Sequence, residues 1–148
     1  MKTLPQKRLT GLILALLLVV GLSMTAQAQN SQLIVKATGF EDDSGGALFA
    51  VVDTAEAYDN IGKNALSATR EKIKDGQAQS AFYLPPGWYA VSVVHDQNNN
   101  AKLDKNFLGL PKEPYGFSNN PNSLGKPSFE EVKFKMDANQ KVIEVKVQ

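Results

Sequence analysis

The sequence predicts an all-β domain, an antiparallel β-sandwich of about seven strands with one long ordered loop. Three observations lead there. Short runs with a period of two recur along the chain, clusters of turn-forming residues separate them, and no stretch has the periodicity of a long helix. One segment, Asp96 to Pro127, breaks the pattern and carries four of the seven prolines.

The elements follow in order. Leu33, Val35 and Ala37 alternate with Ile34, Lys36 and Thr38, and Gly39 closes this first strand. Glu41 to Gly46 is a turn rich in residues that bond their own backbone or tolerate positive φ. Ala47 to Val52 is a continuous apolar run, which reads as a buried strand in a hairpin with the first. Asp53 or Thr54 can cap a helical turn through Glu56, Ala57 and Tyr58. Ala65 to Ile73 is weakly patterned and fits an edge strand. After the Asp75-Gly76 turn, Ala78, Ser80, Phe82 and Leu84 share one face of a fourth strand, which Pro85-Pro86-Gly87 stops. Trp88 to His95 is apolar on both faces, as a central strand requires. Across the long segment, Leu103, Phe107, Leu108, Leu110, Tyr115 and Phe117 supply apolar anchors, so an ordered loop is expected. Gly116, between aromatics, is expected at positive φ. Val132, Phe134 and Met136 form the sixth strand. Asp137 to Gln140 is a hairpin turn, and Ile143, Val145 and Val147 form the last strand.

The chain has 148 residues. Lys2, Lys7 and Arg8, an uncharged stretch from Leu9 to Met24 and the Ala26-Gln27-Ala28 end are the parts of a secretory leader. The apolar stretch is shorter than the ~20 residues of a membrane span. Residues 1–28 are therefore expected to be cleaved. The single domain 29–148 remains, with a periplasmic or secreted location and no membrane span. The leader takes three of the 16 basic residues, leaving 13 against 15 acidic ones and a net charge of −2. No basic field remains to hold nucleic acid. Cysteine is absent and His95 is the single histidine, which excludes disulfides, thiol nucleophiles, thiolate metal sites and multi-histidine centres. A metal site here must be built mainly from oxygen.

The richest constellation is His95-Asp96-Gln97-Asn98-Asn99-Asn100-Ala101-Lys102-Leu103-Asp104. Asp96, Asn98, Asn100 and Asp104 fall at positions 1, 3, 5 and 9 of a calcium loop, with the Lys102 carbonyl at position 7. Alternating short oxygen-bearing side chains on a tight turn can converge on one cation. Two departures weaken the pattern. Position 6, normally glycine, is Ala101, and position 12, normally a bidentate acid, is Phe107. Glu113 is a candidate for the missing acid. With few formal charges, calcium affinity is expected in the millimolar range. The competing reading is an Asx-turn cluster that bonds its own backbone.

Three motifs carry a family resemblance. They are Leu84-Pro85-Pro86-Gly87-Trp88-Tyr89-Ala90-Val91, then His95-Asp96-x-Asn98-x-Asn100-x-Lys102-Leu103-Asp104, then Leu108-Gly109-Leu110-Pro111-Lys112-Glu113-Pro114-Tyr115-Gly116-Phe117-Ser118-Asn119-Asn120. Together with Pro127-Ser128-Phe129 they resemble DUF2141, a family of exported bacterial proteins of unknown function. The resemblance implies a transthyretin-like or immunoglobulin-like sandwich and no particular activity. Members tend to have glycine where this chain has Ala101.

Two functional classes remain. A periplasmic hydrolase would use His95 and loop carboxylates, with Ser92 or Ser118 as nucleophile or Asp104 and Glu113 as a carboxylate pair. Adjacent strand residues point to opposite faces, however, so His95 and Asp96 need not meet. A Gly-x-Ser-x-Gly elbow is also missing from the sequence. A non-catalytic binding or structural module fits better. In it, Phe107, Glu113, Tyr115 and Phe117, with Asn119, Asn120 and Asn122, would contact a carbohydrate or a peptide. Outward exposure of these aromatics would argue for a ligand, and burial for loop packing.

Overall fold

The computed structural model describes residues 29–148, and the expected leader lies outside the described residues. The chain forms β1 (Ser31–Thr38), β2 (Gly46–Val52), α1 (Ala55–Asp59), α2 (Ile61–Asn64), β3 (Ser67–Glu71), β4 (Gln77–Leu84), β5 (Gly87–Asp96), β6 (Tyr115–Phe117), α3 (Phe129–Val132), β7 (Phe134–Met136) and β8 (Lys141–Lys146). One sheet has the order β4-β1-β8. The other has the order β3-β2-β5-β6, with β7 pairing the start of β5. The all-β sandwich expected from the sequence is thus present, with eight strands among the described residues.

Alternation decides which side chains enter the core. Leu33, Val35 and Ala37 of β1 and Ala78, Phe82 and Leu84 of β4 face Phe49 and Val51 of β2 and Tyr89, Val91 and Val93 of β5. Burying such side chains stabilises by roughly 1.5–3 kcal/mol each. On the outer face of the second sheet, Val52 and Ala90 meet Tyr58 of α1 and Val132 of α3. Strand β5 is therefore covered on both sides, as its apolar run implied. Thr54 caps α1, its hydroxyl accepting from the Ala57 N–H at 3.1 Å. Strand β3 lies at the sheet edge, where the weak pattern placed it.

Several pairings differ from expectation. β1 and β2 are not a hairpin, because they lie in different sheets and the 41–46 turn crosses between them. The 137–140 turn crosses in the same way: β7 pairs β5, whereas β8 pairs β1. That last pairing is parallel, so the sandwich is not wholly antiparallel. Val132 closes the α3 turn instead of opening a strand. Alternation reports which face is buried but not which partner lies alongside, and the sheet assignments followed chain proximity wrongly.

The Gly116 expectation is also corrected. Gly116 lies in β6 and is not among the residues at positive φ. Its need for glycine is proximity. A Cβ there would overlap the Lys146 carbonyl oxygen and sit 2.9 Å from Val145 Cγ1. Glycine lets β6 press against the end of β8, where Tyr115 and Gln148 exchange main-chain hydrogen bonds of 3.2 and 3.1 Å.

Candidate functional site

The end of β5 delivers Asp96 into a buried position, and the loop winds around its carboxylate. Oδ1 accepts the Asn100 N–H at 3.0 Å and Oδ2 accepts the Ala101 N–H at 2.9 Å. Asn98 Oδ1 accepts from Asn100 N at 3.1 Å, and Asn100 Oδ1 accepts from Lys102 N at 2.9 Å, which makes two successive Asx turns. Ala101 has φ 61°, so the tight turn that position 6 demands is made by a residue with a Cβ. Asp104 closes the ring, its carboxylate accepting from the side-chain amides of Asn98 at 2.6 Å and Asn100 at 2.9 Å. The four side chains predicted as ligands are therefore gathered around one turn. Among the described residues, no three of His, Cys, Asp and Glu stand together as a metal-holding group.

Two further side chains control this loop. Glu113, buried, accepts from Gln97 N and Asp104 N, each at 3.0 Å, and so ties the two ends together. Arg70 reaches over from β3, its Nη1 2.5 Å from Asp96 Oδ2 and its Nη2 bonded to Asn99 Oδ1. Gly46, opposite Asp96 in the β2–β5 ladder, leaves room for it, since a Cβ there would meet the guanidinium at 2.8–3.0 Å. Burial pushes the Asp96 carboxyl up, but the Ala101 and Asn100 N–H groups and Arg70 outweigh it and hold it below the usual carboxylate range.

The catalytic candidates are kept apart. His95 points inward from β5, fully buried, with Nε2 3.0 Å from the Ser44 carbonyl and its ring edge-on to Phe40 at 5.3 Å. Ser118 Oγ donates to Val132 O at 2.6 Å and accepts from Val91 N at 3.0 Å. Ser92 is buried on the opposite face of β5 from His95. Glu113 and Asp104 are each occupied by loop donors, Glu113 by the Gln97 and Asp104 N–H groups and the Asp104 carboxylate by the Asn98 and Asn100 amides.

The loop aromatics divide. Phe117 packs edge-on against Tyr58 and against Tyr115, with centroids 5.5 Å apart in both pairs, so these two half-buried rings pin the loop. Asn119 donates to the Glu131 and Lys133 carbonyls, and Asn120 bonds the Glu144 carbonyl and the Lys146 N–H. Both amides therefore serve as lacing. They leave a cleft of about 210 Å3 lined by Tyr115, Phe117, Asn122, Ser123 and Lys146. Phe107 stands apart, 94% exposed.

The DUF2141 family, described as an uncharacterized protein conserved in bacteria, matches residues 35–144. The chain belongs to DUF2141. No curated protein and no solved structure matches it. The DUF2141 match runs from β1 into β8 and includes both sheets and the whole 96–127 segment. Within this DUF2141 chain, sequence reasoning missed Arg70. One clue was available: Arg70 is the sole arginine after Arg8, set in an edge strand among lysines.

Proposed function

We propose that this DUF2141 protein is an exported, non-catalytic β-sandwich binding module whose 96–104 loop takes calcium weakly. The observation that supports this reading is the gathering of Asp96, Asn98, Asn100 and Asp104 around one turn, with residue 101 in the left-handed conformation that a calcium loop needs. Rotation of the two amides would present their oxygens alongside the Asp104 carboxylate, with the Lys102 carbonyl as a further ligand. Arg70 already neutralises Asp96, which lowers the local negative charge and keeps affinity in the millimolar range. The test is thermal unfolding of residues 29–148 in chelator and in calcium. At ten times the dissociation constant, calcium adds about 1.4 kcal/mol of stability. Magnesium adds much less, because the loop does not form a tight octahedron. Asp104→Ala removes the calcium effect. An identical melting temperature in chelator and in excess calcium refutes the proposal and leaves the loop as an Asx-turn cluster. Export is tested separately by N-terminal sequencing of the envelope protein, which should begin near Gln29.

A second reading is favoured by the cleft beside β6. Two aromatic faces, the exposed Asn122 and the Lys146 backbone together suit a small carbohydrate or an extended peptide. Soluble oligosaccharides and tripeptides should then protect Tyr115 from chemical modification, and unchanged reactivity would reject this reading. The hydrolase alternative has less support: His95 Nε2, the Ser118 hydroxyl and the Glu113 carboxylate meet main-chain groups, and the Asp104 carboxylate accepts from the Asn98 and Asn100 side-chain amides.

A further inference from the structure

Residues 104–112 form a small two-stranded finger. Lys105 bridges to Pro111, and Lys112 N donates to Asp104 O at 2.8 Å. The tip is closed by polar means alone. Asn106 N donates to Leu110 O at 2.8 Å, Gly109 N donates to Asn106 O at 2.9 Å, and Gly109 has φ 78°. Asn106 Oδ1 accepts the Leu108 and Leu110 N–H groups at 2.9 and 3.0 Å. Nothing in this turn needs its apolar side chains. Yet the tip presents Phe107 at 94%, Leu108 at 68% and Leu110 at 57% exposure. Folding gains little from holding them in water, and a contiguous exposed apolar group of this kind marks an interaction site.

The surroundings of the tip select the partner. Lys102, Lys105 and Lys112 are exposed around the base of the finger, and none makes an ion pair among the described residues. A convex apolar tip above a collar of free ammonium groups is complementary to a bilayer surface. The rings and methyls enter the acyl boundary while the lysines meet anionic headgroups. We propose that the 104–112 finger docks this protein on anionic membrane surfaces, with Phe107, Leu108 and Leu110 inserted and Lys102, Lys105 and Lys112 at the headgroups. The rigid Asn106 turn means that little ordering entropy is lost on docking. This proposal does not use calcium, and its test is run in chelator.

The domain of residues 29–148 holds both sheets and the core, and it omits the apolar stretch before Met24, which would bind vesicles by itself. The experiment is cosedimentation of this domain with vesicles of mixed phosphatidylcholine and phosphatidylglycerol. Binding is expected, weakened by salt and weaker on phosphatidylcholine alone. Phe107→Ser and Leu108→Ser should each lower the partition coefficient about tenfold or more, since each apolar side chain contributes ~1.5 kcal/mol or more on burial. Lys105→Gln with Lys112→Gln should lower it about 25-fold, at roughly fivefold for each basic charge near the surface. Melting temperatures of all variants should match the parent, which confirms that they fold. Phe107→Trp should shift its emission to the blue on vesicle addition. Absence of vesicle binding, or equal binding by Phe107→Ser, overturns the proposal. So does finding that the tip residues instead drive concentration-dependent self-association without lipid.

Discussion

Replacing Gly116 with alanine tests the contact between β6 and β8. The added methyl overlaps the Lys146 carbonyl oxygen and stands 2.9 Å from both the Lys146 carbonyl carbon and Val145 Cγ1. A flexible side chain could move aside, but a backbone carbonyl cannot. Relief therefore requires β6 to separate from β8. Separation breaks the reciprocal Tyr115–Gln148 main-chain bonds, worth about 1 kcal/mol each, and uncovers Val145, which is fully buried. Overpacking of this kind costs about 1–3 kcal/mol, and a main-chain obstacle places it at the upper end, about 3 kcal/mol. With a urea slope of about 1.5 kcal/mol/M, the unfolding midpoint falls by about 2 M. Gly62 in α2 is the control, because nothing lies within 4 Å of an added Cβ there. Gly62→Ala should be neutral or stabilising by up to about 1 kcal/mol. Equal midpoints for the Gly116→Ala variant and the parent, or equal losses for both glycine variants, refute the reasoning.

Three other outcomes follow from the same structure. Ala101→Gly relieves a left-handed alanine worth roughly 1–2 kcal/mol of strain against about 0.5–1 kcal/mol of added chain entropy, so chemical denaturation should report a net gain of about 0.5–1 kcal/mol. Tyr58→Phe removes the hydroxyl that donates to the Pro127 carbonyl at 3.1 Å, and the loss should be about 1–3 kcal/mol with loosened proteolytic protection of residues 118–127. Glu131 accepts from the Ser128 hydroxyl and N–H, each at 2.7 Å, which holds its carboxyl below the ordinary 4.5. A depressed folded pKa stabilises above the unfolded value and stops doing so as pH falls through the folded one. Stability of the parent should therefore fall more steeply than that of Glu131→Gln as pH drops below 4.5, read by thermal melts across an acid series.

What the sequence made legible was local. Alternation in β1, β4 and β5 named the buried face, Asp53-Thr54 located a helix cap that Thr54 fills, and the Asp-Asn spacing named the residues that meet around residue 96. Partnership across space was not legible. The 41–46 and 137–140 segments look like hairpin turns because their composition is the same whether the chain doubles back or crosses to the other sheet. Gly116 was misread for a related reason: positive φ and close approach both demand glycine, and only the position of Lys146 separates them. Arg70 was overlooked because its partner lies 26 residues away and two strands across. The loop aromatics had opposite fates, Phe117 packed and Phe107 bare, and no pattern within the segment distinguishes them.

The parallel pairing of β1 with β8 joins opposite ends of the domain, Leu33 with Lys141 and Thr38 with Lys146. A chain emerging from its N-terminus has β1 and β4 in hand early, but one edge of β1 stays open until residues 141–146 exist. No turn can nucleate that strand, because parallel neighbours cannot be joined by one. Completing this sheet therefore waits for β8, and the loop-closure entropy it must overcome spans more than 100 residues, from Leu33 to Lys141. A chain that stops short of Lys141 leaves an apolar strand with an unpaired edge, which is a template for aggregation.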